Sequence, residues 1–401
     1  MIFLFGQIMC VKEILLFICL AFSPLSIFAA ENPSHEGTAA ERGSKQIKEY
    51  TIPTSFSNPV AIARDASDSL WFVEQNSNKI GRFIPSAQTF EEFDIPPIGS
   101  IGGSPVGIAV DSRNVIWATL SADNSILSFS PAEKKFKRHQ VPTPDAVPYG
   151  IAVGKDEAIW FTERNGNKVG KLNTSDGVIK EYSIPTVNSQ PSGITRDING
   201  LVWFIESGGN KLGRLDPEHG KINEYRIPMP FSNPFDIVSD KDGNIWFTEL
   251  NGNKLGMFSP SLKKFNEAIM PRLATVPSGI AIDKMGRVWF TENRGNRVGM
   301  FEPIQSTFTE YDIPTYRSLP LGITVDNRGI VWFTETDRDA NKIGRVELPV
   351  PASPAESNAP PAFKTITDFI RAVQIIAGIV LILFITFTVW YVRRRRERSG
   401  E

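Results

Sequence analysis

Seven tryptophans recur along the chain at a nearly constant interval, and this period limits the folds that the sequence can adopt. Each lies in a short apolar segment such as Ile245–Glu249, and no helical periodicity separates the copies. A period of about 40 to 50 residues with several such segments is typical of a β-propeller blade of four antiparallel strands. The sequence therefore predicts an all-β fold, a seven-bladed β-propeller. The tryptophans are Trp71, Trp117, Trp160, Trp203, Trp246, Trp289 and Trp332, with one interval of 46 residues and five of 43.

The unit 277–314 shows the predicted order of the strands, which we name A to D from the channel outwards. Strand A precedes the turn 283–286, whose Asp and Gly favour a tight reversal. Strand B, around Trp289, is continuously apolar, so neighbouring blades should cover both of its faces. Strand C follows at 296–301, and strand D ends at Pro314, where no backbone N–H is available for the ladder.

The two ends of the repeat array complement each other. Segment 48–53 matches the outer strands at 181–185 and 224–228, yet it precedes the first tryptophan. The last unit ends after its strand C at 342–346 and has no outer strand of its own. We therefore expect the N-terminal strand to close the last blade, which removes the exposed sheet edges of an open array. The propeller is predicted to span residues 48–348.

The N-terminal residues have the pattern of a secretory signal peptide. Lys12 precedes an apolar stretch at 14–22, and Ala29 and Ala30 offer a cleavage site, so we assign 1–30 to the signal peptide. The polar segment 31–47 is predicted to be a disordered linker. Both cysteines, Cys10 and Cys19, lie within the signal peptide, which leaves the mature chain without a disulfide or a cysteine-bound metal.

The C-terminal residues predict a membrane anchor. Segment 349–371 begins with a proline-rich stretch that favours an extended stalk. Residues 372–392 carry no charge and are long enough for one transmembrane helix, and the basic tail 393–401 would stay in the cytoplasm. We expect a single-pass type I protein of the cell membrane with its propeller outside the cytoplasm. Such a tail also occurs as a processed sorting signal.

The charge of the chain argues against nucleic acid as a partner. The net charge is −1, and the tail holds five arginines and two glutamates, so the remainder is weakly acidic. No basic stripe with interleaved aromatic residues occurs. We expect a monomer whose partner is a small molecule or an extracellular protein or peptide.

A glutamate follows strand B in six of the seven units, on the predicted face of the loops that enter strand A. A ring of carboxylates at the channel mouth would suit a divalent cation, with Glu292 and Glu335 as the candidate metal ligands. Alternatively, each glutamate caps its own loop or pairs with a nearby Lys or Arg, and six copies favour this structural role. The six are Glu74, Glu163, Glu206, Glu249, Glu292 and Glu335; the second unit has Leu120 instead.

The loops that enter strand A vary from unit to unit and are the candidate binding surface. The residue after the loop proline is apolar, aromatic or a hydroxyl residue, which suits contacts rather than acid–base chemistry. Simple plugging of the channel is the alternative. The second unit also has a glycine-containing loop at 97–104, either a lid or a tolerated insertion. The candidate ligand-binding residues are Tyr149, Ser192, Phe235, Ser278 and Leu321, and the other two units have Val60 and Val106.

Histidine and the familiar catalytic motifs give no support for an enzyme. His35 lies in the linker, His139 in an outer strand and His219 in a turn between strands C and D, all away from the predicted binding face. No nucleophile elbow, phosphate-binding loop or dinucleotide fingerprint occurs. We assign no catalytic residue from the sequence.

The unit 277–314, with Pro-Ser-Gly-Ile, Val-Trp-Phe-Thr-Glu, Asn-Arg-Val-Gly and Glu-Tyr-Asp-Ile-Pro, resembles the repeat of the virginiamycin B lyase (streptogramin B lyase) family. The resemblance implies a seven-bladed propeller that opens cyclic depsipeptide antibiotics by elimination, with Mg²⁺ and a histidine base. The family's histidine and metal-binding glutamate correspond to Leu321 and Leu319, on either side of Pro320, and a second histidine corresponds to Ser278. We therefore expect ligand binding without the catalytic histidine. The alternatives are a Mg²⁺-dependent C–O lyase and a lactonase-like hydrolase.

Overall fold

The computed structural model describes residues 46–97 and 102–347, which form seven antiparallel sheets of four strands each. The predicted all-β seven-bladed propeller is confirmed. The predicted signal peptide, almost all of the linker, the stalk, the span 372–392 and the basic tail lie outside the described residues, as do residues 98–101 of the glycine-containing loop. Within the two described ranges, no helix has the length and apolar character needed to cross a membrane.

The strands follow the predicted order, with ends that differ from the predicted ones by one or two residues. They are β1 (Ile47–Thr51), β2 (Pro59–Arg64), β3 (Leu70–Glu74), β4 (Lys79–Ile84), β5 (Thr89–Asp94), β6 (Pro105–Val110), β7 (Ile116–Leu120), β8 (Ser125–Ser130), β9 (Lys135–Gln140), β10 (Pro148–Val153), β11 (Ile159–Glu163), β12 (Lys168–Leu172), β13 (Ile179–Ser183), β14 (Pro191–Arg196), β15 (Val202–Glu206), β16 (Lys211–Asp216), β17 (Lys221–Arg226), β18 (Pro234–Ser239), β19 (Ile245–Glu249), β20 (Lys254–Ser259), β21 (Lys264–Ile269), β22 (Pro277–Ile282), β23 (Val288–Glu292), β24 (Arg297–Glu302), β25 (Thr307–Asp312), β26 (Pro320–Val325), β27 (Val331–Glu335) and β28 (Lys342–Val346).

The first and last strands close the ring. β1 pairs antiparallel with β28 and completes the sheet β26–β27–β28–β1, as the sequence predicts. The pairing begins at Ile47 opposite Val346, one residue before the predicted start, because Ile47 is itself buried. Ile52, just beyond the strand, is also buried. The buried side chains of Ile47 and Ile52 pack the N-terminal strand into the hydrophobic core.

The tryptophans of the repeat are buried between blades, and in six blades their indole N–H groups bind the turns between strands A and B, on the face opposite the loops that enter strand A. In the fourth blade the indole N–H of Trp203 donates a hydrogen bond of 2.9 Å to Asp197 of the A–B turn. The same carboxylate accepts the backbone N–H groups of Asn199 and Leu201. The aspartate therefore serves the turn, as the sequence predicts, and also satisfies a buried indole. Six blades have this bond, in the pairs Trp71–Asp65, Trp117–Asp111, Trp203–Asp197, Trp246–Asp240, Trp289–Asp283 and Trp332–Asp326.

A phenylalanine of strand B lies directly over a glycine of strand C in six blades. A Cβ atom on Gly256 would be 2.1 Å from the ring of Phe247, so no larger residue fits there. The second blade reverses the sizes: Ala118 replaces the phenylalanine, and its cross-strand partner Leu127 replaces the glycine. Both are fully buried. The total side-chain volume of this layer is thereby kept while its distribution between the two strands changes.

Removal of the closing strand should destabilise the propeller. A chain that begins at Asn58 loses β1 and the buried side chains of Ile47 and Ile52, worth about 3 kcal/mol or more in burial alone. It also leaves β28 as an unpaired edge. We expect a lower melting temperature than that of a control chain beginning at Gln46, measured by circular dichroism. Equal melting temperatures would refute the closure.

The inverted pair of the second blade predicts the outcome of a swap in the fifth. Phe247→Ala leaves a cavity and should cost about 3 to 5 kcal/mol. Gly256→Leu should also destabilise, because the new side chain meets the Phe247 ring. The double variant F247A/G256L reproduces Ala118 and Leu127, so its loss should be well below the sum of the two single losses. Chemical denaturation of all four proteins measures this coupling; additive losses would contradict it.

Candidate functional site

The innermost strands of the seven blades surround a central channel that contains a cavity of about 320 Å³. Its walls include the residue that follows the loop proline in five blades. Three of the predicted ligand-binding residues, Tyr149, Phe235 and Leu321, line it. The five residues of this kind are Val60, Val106, Tyr149, Phe235 and Leu321.

Hydrogen bonds between blades hold these channel residues in place. Thr162 of strand B accepts a bond from the Gly150 N–H in its own blade and donates one of 2.7 Å to the Ser192 carbonyl of the next blade. The blades approach so closely here that a Cβ on Gly150 would lie 2.3 Å from the Ser192 carbonyl oxygen. A glycine at this position therefore lets the strands converge. The same arrangement recurs at Thr119, Thr291 and their neighbours.

Two aromatic rings meet inside the channel. Tyr149 and Phe235 come from the third and fifth blades, and their ring centroids are 6.3 Å apart in an edge-to-face arrangement. The guanidinium group of Arg164 lies over the Tyr149 ring at 5.0 Å from its centroid. Burial raises the pKa of the Tyr149 hydroxyl, so this phenol stays neutral at physiological pH. The pair presents a rigid, largely apolar surface with one polar end.

The structure places Ser192 and Ser278 differently from the prediction, since both are buried between blades and neither lines the cavity. The Ser192 hydroxyl donates to the Phe235 carbonyl at 2.8 Å, a bond that a strand-B threonine makes in other blades. In the fourth blade Ile205 occupies that threonine position and has no hydroxyl. The Ser278 hydroxyl donates to the Val276 carbonyl in its own loop. Both serines therefore stabilise the backbone around the channel rather than contact the cavity.

Asp236 is a channel residue that the sequence reasoning missed. It occupies the position held by glycine in five blades and by Ala61 in the first, and it lines the cavity beside Phe235. Its carboxylate accepts hydrogen bonds from the N–H groups of Ile237, at 2.9 Å, and of Ile280 in the next blade, at 3.1 Å. Burial raises the pKa of Asp236 to about 6. The departure from Pro-X-Gly-Ile at Pro234-Phe235-Asp236-Ile237 was the signal that could have revealed it.

The glutamates that end strand B are fully buried and do not line the cavity. In the last blade Lys342 pairs with Glu49 of the closing strand at 2.9 Å. Burial, with the neighbouring Glu49 charge, raises the pKa of Glu335 to about 9. In the sixth blade, burial raises the pKa of Glu292 to about 7, and Arg297 pairs with Asp312 at 2.7 Å while lying 3.9 Å from Glu292. The cations thus bind mainly the outer-strand carboxylates, which was not anticipated.

These glutamates do not fit a shared Mg²⁺ site. Glu292 and Glu335 belong to different blades, and each lies in its own buried group of charges. Among residues 46–97 and 102–347, no three His, Cys, Asp or Glu side chains are grouped so that they could hold a metal ion. Leu319 and Leu321 have no donor atoms in their side chains. Magnesium binding stays a prediction.

The two histidines in the described ranges lie away from the channel. His139 belongs to the outer strand β9 and packs near the Trp117 ring. His219 lies in the turn between β16 and β17, where its Nδ1 is 2.9 Å from an Asp216 carboxylate oxygen. Leu319 faces a second cavity on the channel-mouth side, which Phe56 and Arg338 also line. The structure therefore places no imidazole of the described residues in the channel cavity.

Solved structures similar to this chain include one of a streptogramin B lyase and two of a virginiamycin B lyase. A streptogramin B lyase is 33% identical over 76% of this chain and 97% of its own, with a TM-score of 0.71. Selenomethionine-substituted virginiamycin B lyase from Staphylococcus aureus is 30% identical over 76% of this chain and 99% of its own, with a TM-score of 0.70. A catalytically inactive histidine-to-alanine variant of that enzyme with quinupristin matches equally well.

The family itself is also matched along the chain. The sequence model of the virginiamycin B lyase family matches residues 37–285 and 218–351, which together include every blade. This range and the identities above agree with the repeat motifs and with the seven-bladed fold. The chain belongs to the virginiamycin B lyase family.

Proposed function

We propose that the channel mouth of this propeller binds a small ligand with an aromatic or apolar body and does not open streptogramins at a useful rate. The observation that carries the proposal is the edge-to-face pair of Tyr149 and Phe235 in a cavity of about 320 Å³. Leu321 lines the same cavity at the position where the family resemblance implies a histidine. Pockets of this size with aromatic walls and a few polar groups are typical ligand sites.

Exposed apolar side chains on the same face support a binding role. The loops that enter strand A hold Phe56, Phe231, Leu273 and Tyr316 out to solvent around the channel mouth. A phenylalanine at a positive φ, as at Phe56 and Phe231, is an unusual backbone state that tertiary contacts must hold. This surface suits a ligand or an extracellular peptide larger than the cavity itself.

The location predicted from the sequence would expose the channel to ligands from outside the cytoplasm. The signal peptide pattern at 1–30 and the uncharged segment 372–392, followed by arginines, are the basis of this part of the proposal. The propeller would then be displayed at the cell surface as a monomer on a proline-rich stalk. Its weakly acidic charge again disfavours nucleic acid.

A second candidate function is a C–O lyase that uses a carboxylate in place of the histidine. The specific observation in its favour is Asp236, which lines the channel and whose pKa of about 6 leaves it ionised at neutral pH. An ionised carboxylate can accept a proton if it lies within hydrogen-bond reach of the substrate. Glu335 is a weaker base candidate, because it lies outside the cavity and its raised pKa keeps it protonated.

The two candidates predict different outcomes with a streptogramin B antibiotic. The full-length protein is incubated with quinupristin and excess Mg²⁺, and ring opening is followed by chromatography with fragment-ion mass spectrometry, since elimination leaves the mass unchanged. We expect no turnover above that of a buffer control, because a positioned base typically contributes about 10² to 10⁴ in rate.

Variants identify any base that acts in this assay. Turnover that disappears in Asp236→Asn or Glu335→Gln would contradict the binding-only proposal and assign the base. Turnover by the unmodified protein that both variants retain would contradict it as well, and would place the base elsewhere. No turnover, together with saturable binding of another small molecule that Phe235→Ala weakens, would support it.

A further inference from the structure

Asp236 replaces a glycine that five of the other six blades have at this position, and the first blade has Ala61. A Cβ on Gly279 would lie 2.2 Å from the Leu321 carbonyl oxygen, and one on Gly107 would lie 2.5 Å from the Tyr149 carbonyl oxygen. Such approaches exclude a side chain unless the blades shift. The fifth blade nevertheless accommodates a Cβ and a carboxylate at this point. The space around Asp236 is therefore arranged differently from that of the equivalent glycines.

The charge of this carboxylate has no cationic partner in the part of the chain that the structure describes. Both of its hydrogen bonds come from neutral backbone N–H groups, those of Ile237 and Ile280. Only burial and these two bonds affect its pKa, and no Lys, Arg or His contributes. Arg164, whose guanidinium group lies over the Tyr149 ring, is not among the partners of this carboxylate. A half-buried carboxylate without a cationic partner is unfavourable, so the channel favours a positive charge from outside.

The cavity walls beside Asp236 suit the apolar part of a cationic ligand. The rings of Tyr149 and Phe235 share the cavity with Asp236, and Leu321 adds an aliphatic surface. Aromatic faces attract cations through their quadrupole, and a carboxylate adds a charge-assisted hydrogen bond. The same carboxylate repels anions. A protonated amine attached to an apolar body satisfies all of these groups at once.

We propose that the channel is a binding site for an organic ammonium ion, with Asp236 as the counter-ion and Tyr149 and Phe235 as the aromatic walls. This inference rests on the proposed function, since it names the chemical class of the ligand that the channel takes. A purely structural role for Asp236, in tying Ile280 of the sixth blade to the fifth, is the alternative. The two differ in whether binding depends on charge.

The test uses three probes of similar shape and different charge. Benzylammonium, benzyl alcohol and benzoate are titrated into the full-length protein at pH 8 by isothermal titration calorimetry. We expect benzylammonium to bind most tightly and benzoate not to bind. Asp236→Asn should weaken benzylammonium about 10- to 100-fold, the usual effect of losing one charged hydrogen bond, and should leave benzyl alcohol unchanged.

Two further variants control for folding. Asp236→Gly restores the residue of five other blades and should also lose benzylammonium, and its melting curve reports whether the blades stay assembled. Glu249→Gln removes a buried carboxylate from the same blade outside the cavity and should keep full binding. Loss of binding in this control to the same extent as in Asp236→Asn would overturn the proposal, as it would show a general effect on the fold.

The pH dependence gives a readout that a structural role would not produce. Because burial raises its pKa, the Tyr149 phenol stays neutral from pH 5 to 8, and benzylammonium stays protonated over the same range. Because the pKa of Asp236 is about 6, acidification discharges the carboxylate. Affinity should therefore fall about tenfold from pH 8 to pH 5. In Asp236→Asn this pH dependence should disappear.

The outcomes separate this inference from the proposed function. Equal binding of benzylammonium and benzyl alcohol, unaffected by Asp236→Asn, would overturn the ammonium site while leaving the channel as a ligand site. Binding of none of the three probes would overturn the ammonium site and would also count against the proposed function. Charge-selective binding that depends on Asp236 and on pH would support both.

Discussion

The close approach of the innermost strands around the channel is the constraint on which this propeller depends. In four blades a strand-B threonine donates a hydrogen bond to a strand-A carbonyl of the next blade, as Thr162 does to Ser192. The equivalent glycines leave no room for a Cβ against that carbonyl. This contact lets neighbouring blades converge on the channel wherever it occurs. Some blades depart from it.

The departures in individual blades show how the fold compensates. In the fourth blade Ile205 lacks the hydroxyl, and Ser192 supplies the bond to the Phe235 carbonyl instead. In the second blade Ala118 and Leu127 exchange the sizes of the Phe–Gly layer. Both changes restore packing or hydrogen bonding locally. Asp236 differs from them because it adds a negative charge that no neighbouring residue of the described chain neutralises. A cationic ligand would account for this unpaired charge, whereas packing alone would not.

The buried glutamates show how a residue repeated in six blades can serve the structure of each blade. Six of the blades end strand B with a glutamate, yet the side chains lie inside their own blades. The nearby lysines pair with outer-strand carboxylates, as Lys168 does with Glu181 at 2.6 Å. Burial then raises the pKa of Glu163 to about 8. A proton rather than a metal is thus the simplest way to neutralise these groups at neutral pH.

The sequence by itself determined the fold, because a repeat with fixed spacing leaves few ways to bury its tryptophans. An extra outer strand at the N-terminal end and a missing one at the C-terminal end predicted the closure. It also predicted that Tyr149, Phe235 and Leu321 lie at the channel, since residues in equivalent loops at one end of each blade must share a face. Tertiary structure alone decided that the Ser192 and Ser278 hydroxyls are buried and donate to backbone carbonyls instead of lining the cavity, because the positions of those carbonyls depend on how the strands and loops pack. Tertiary structure also decided that Asp236 lines the cavity. A side chain fits in place of glycine only if two neighbouring blades are far enough apart, and the sequence of one repeat does not determine that distance.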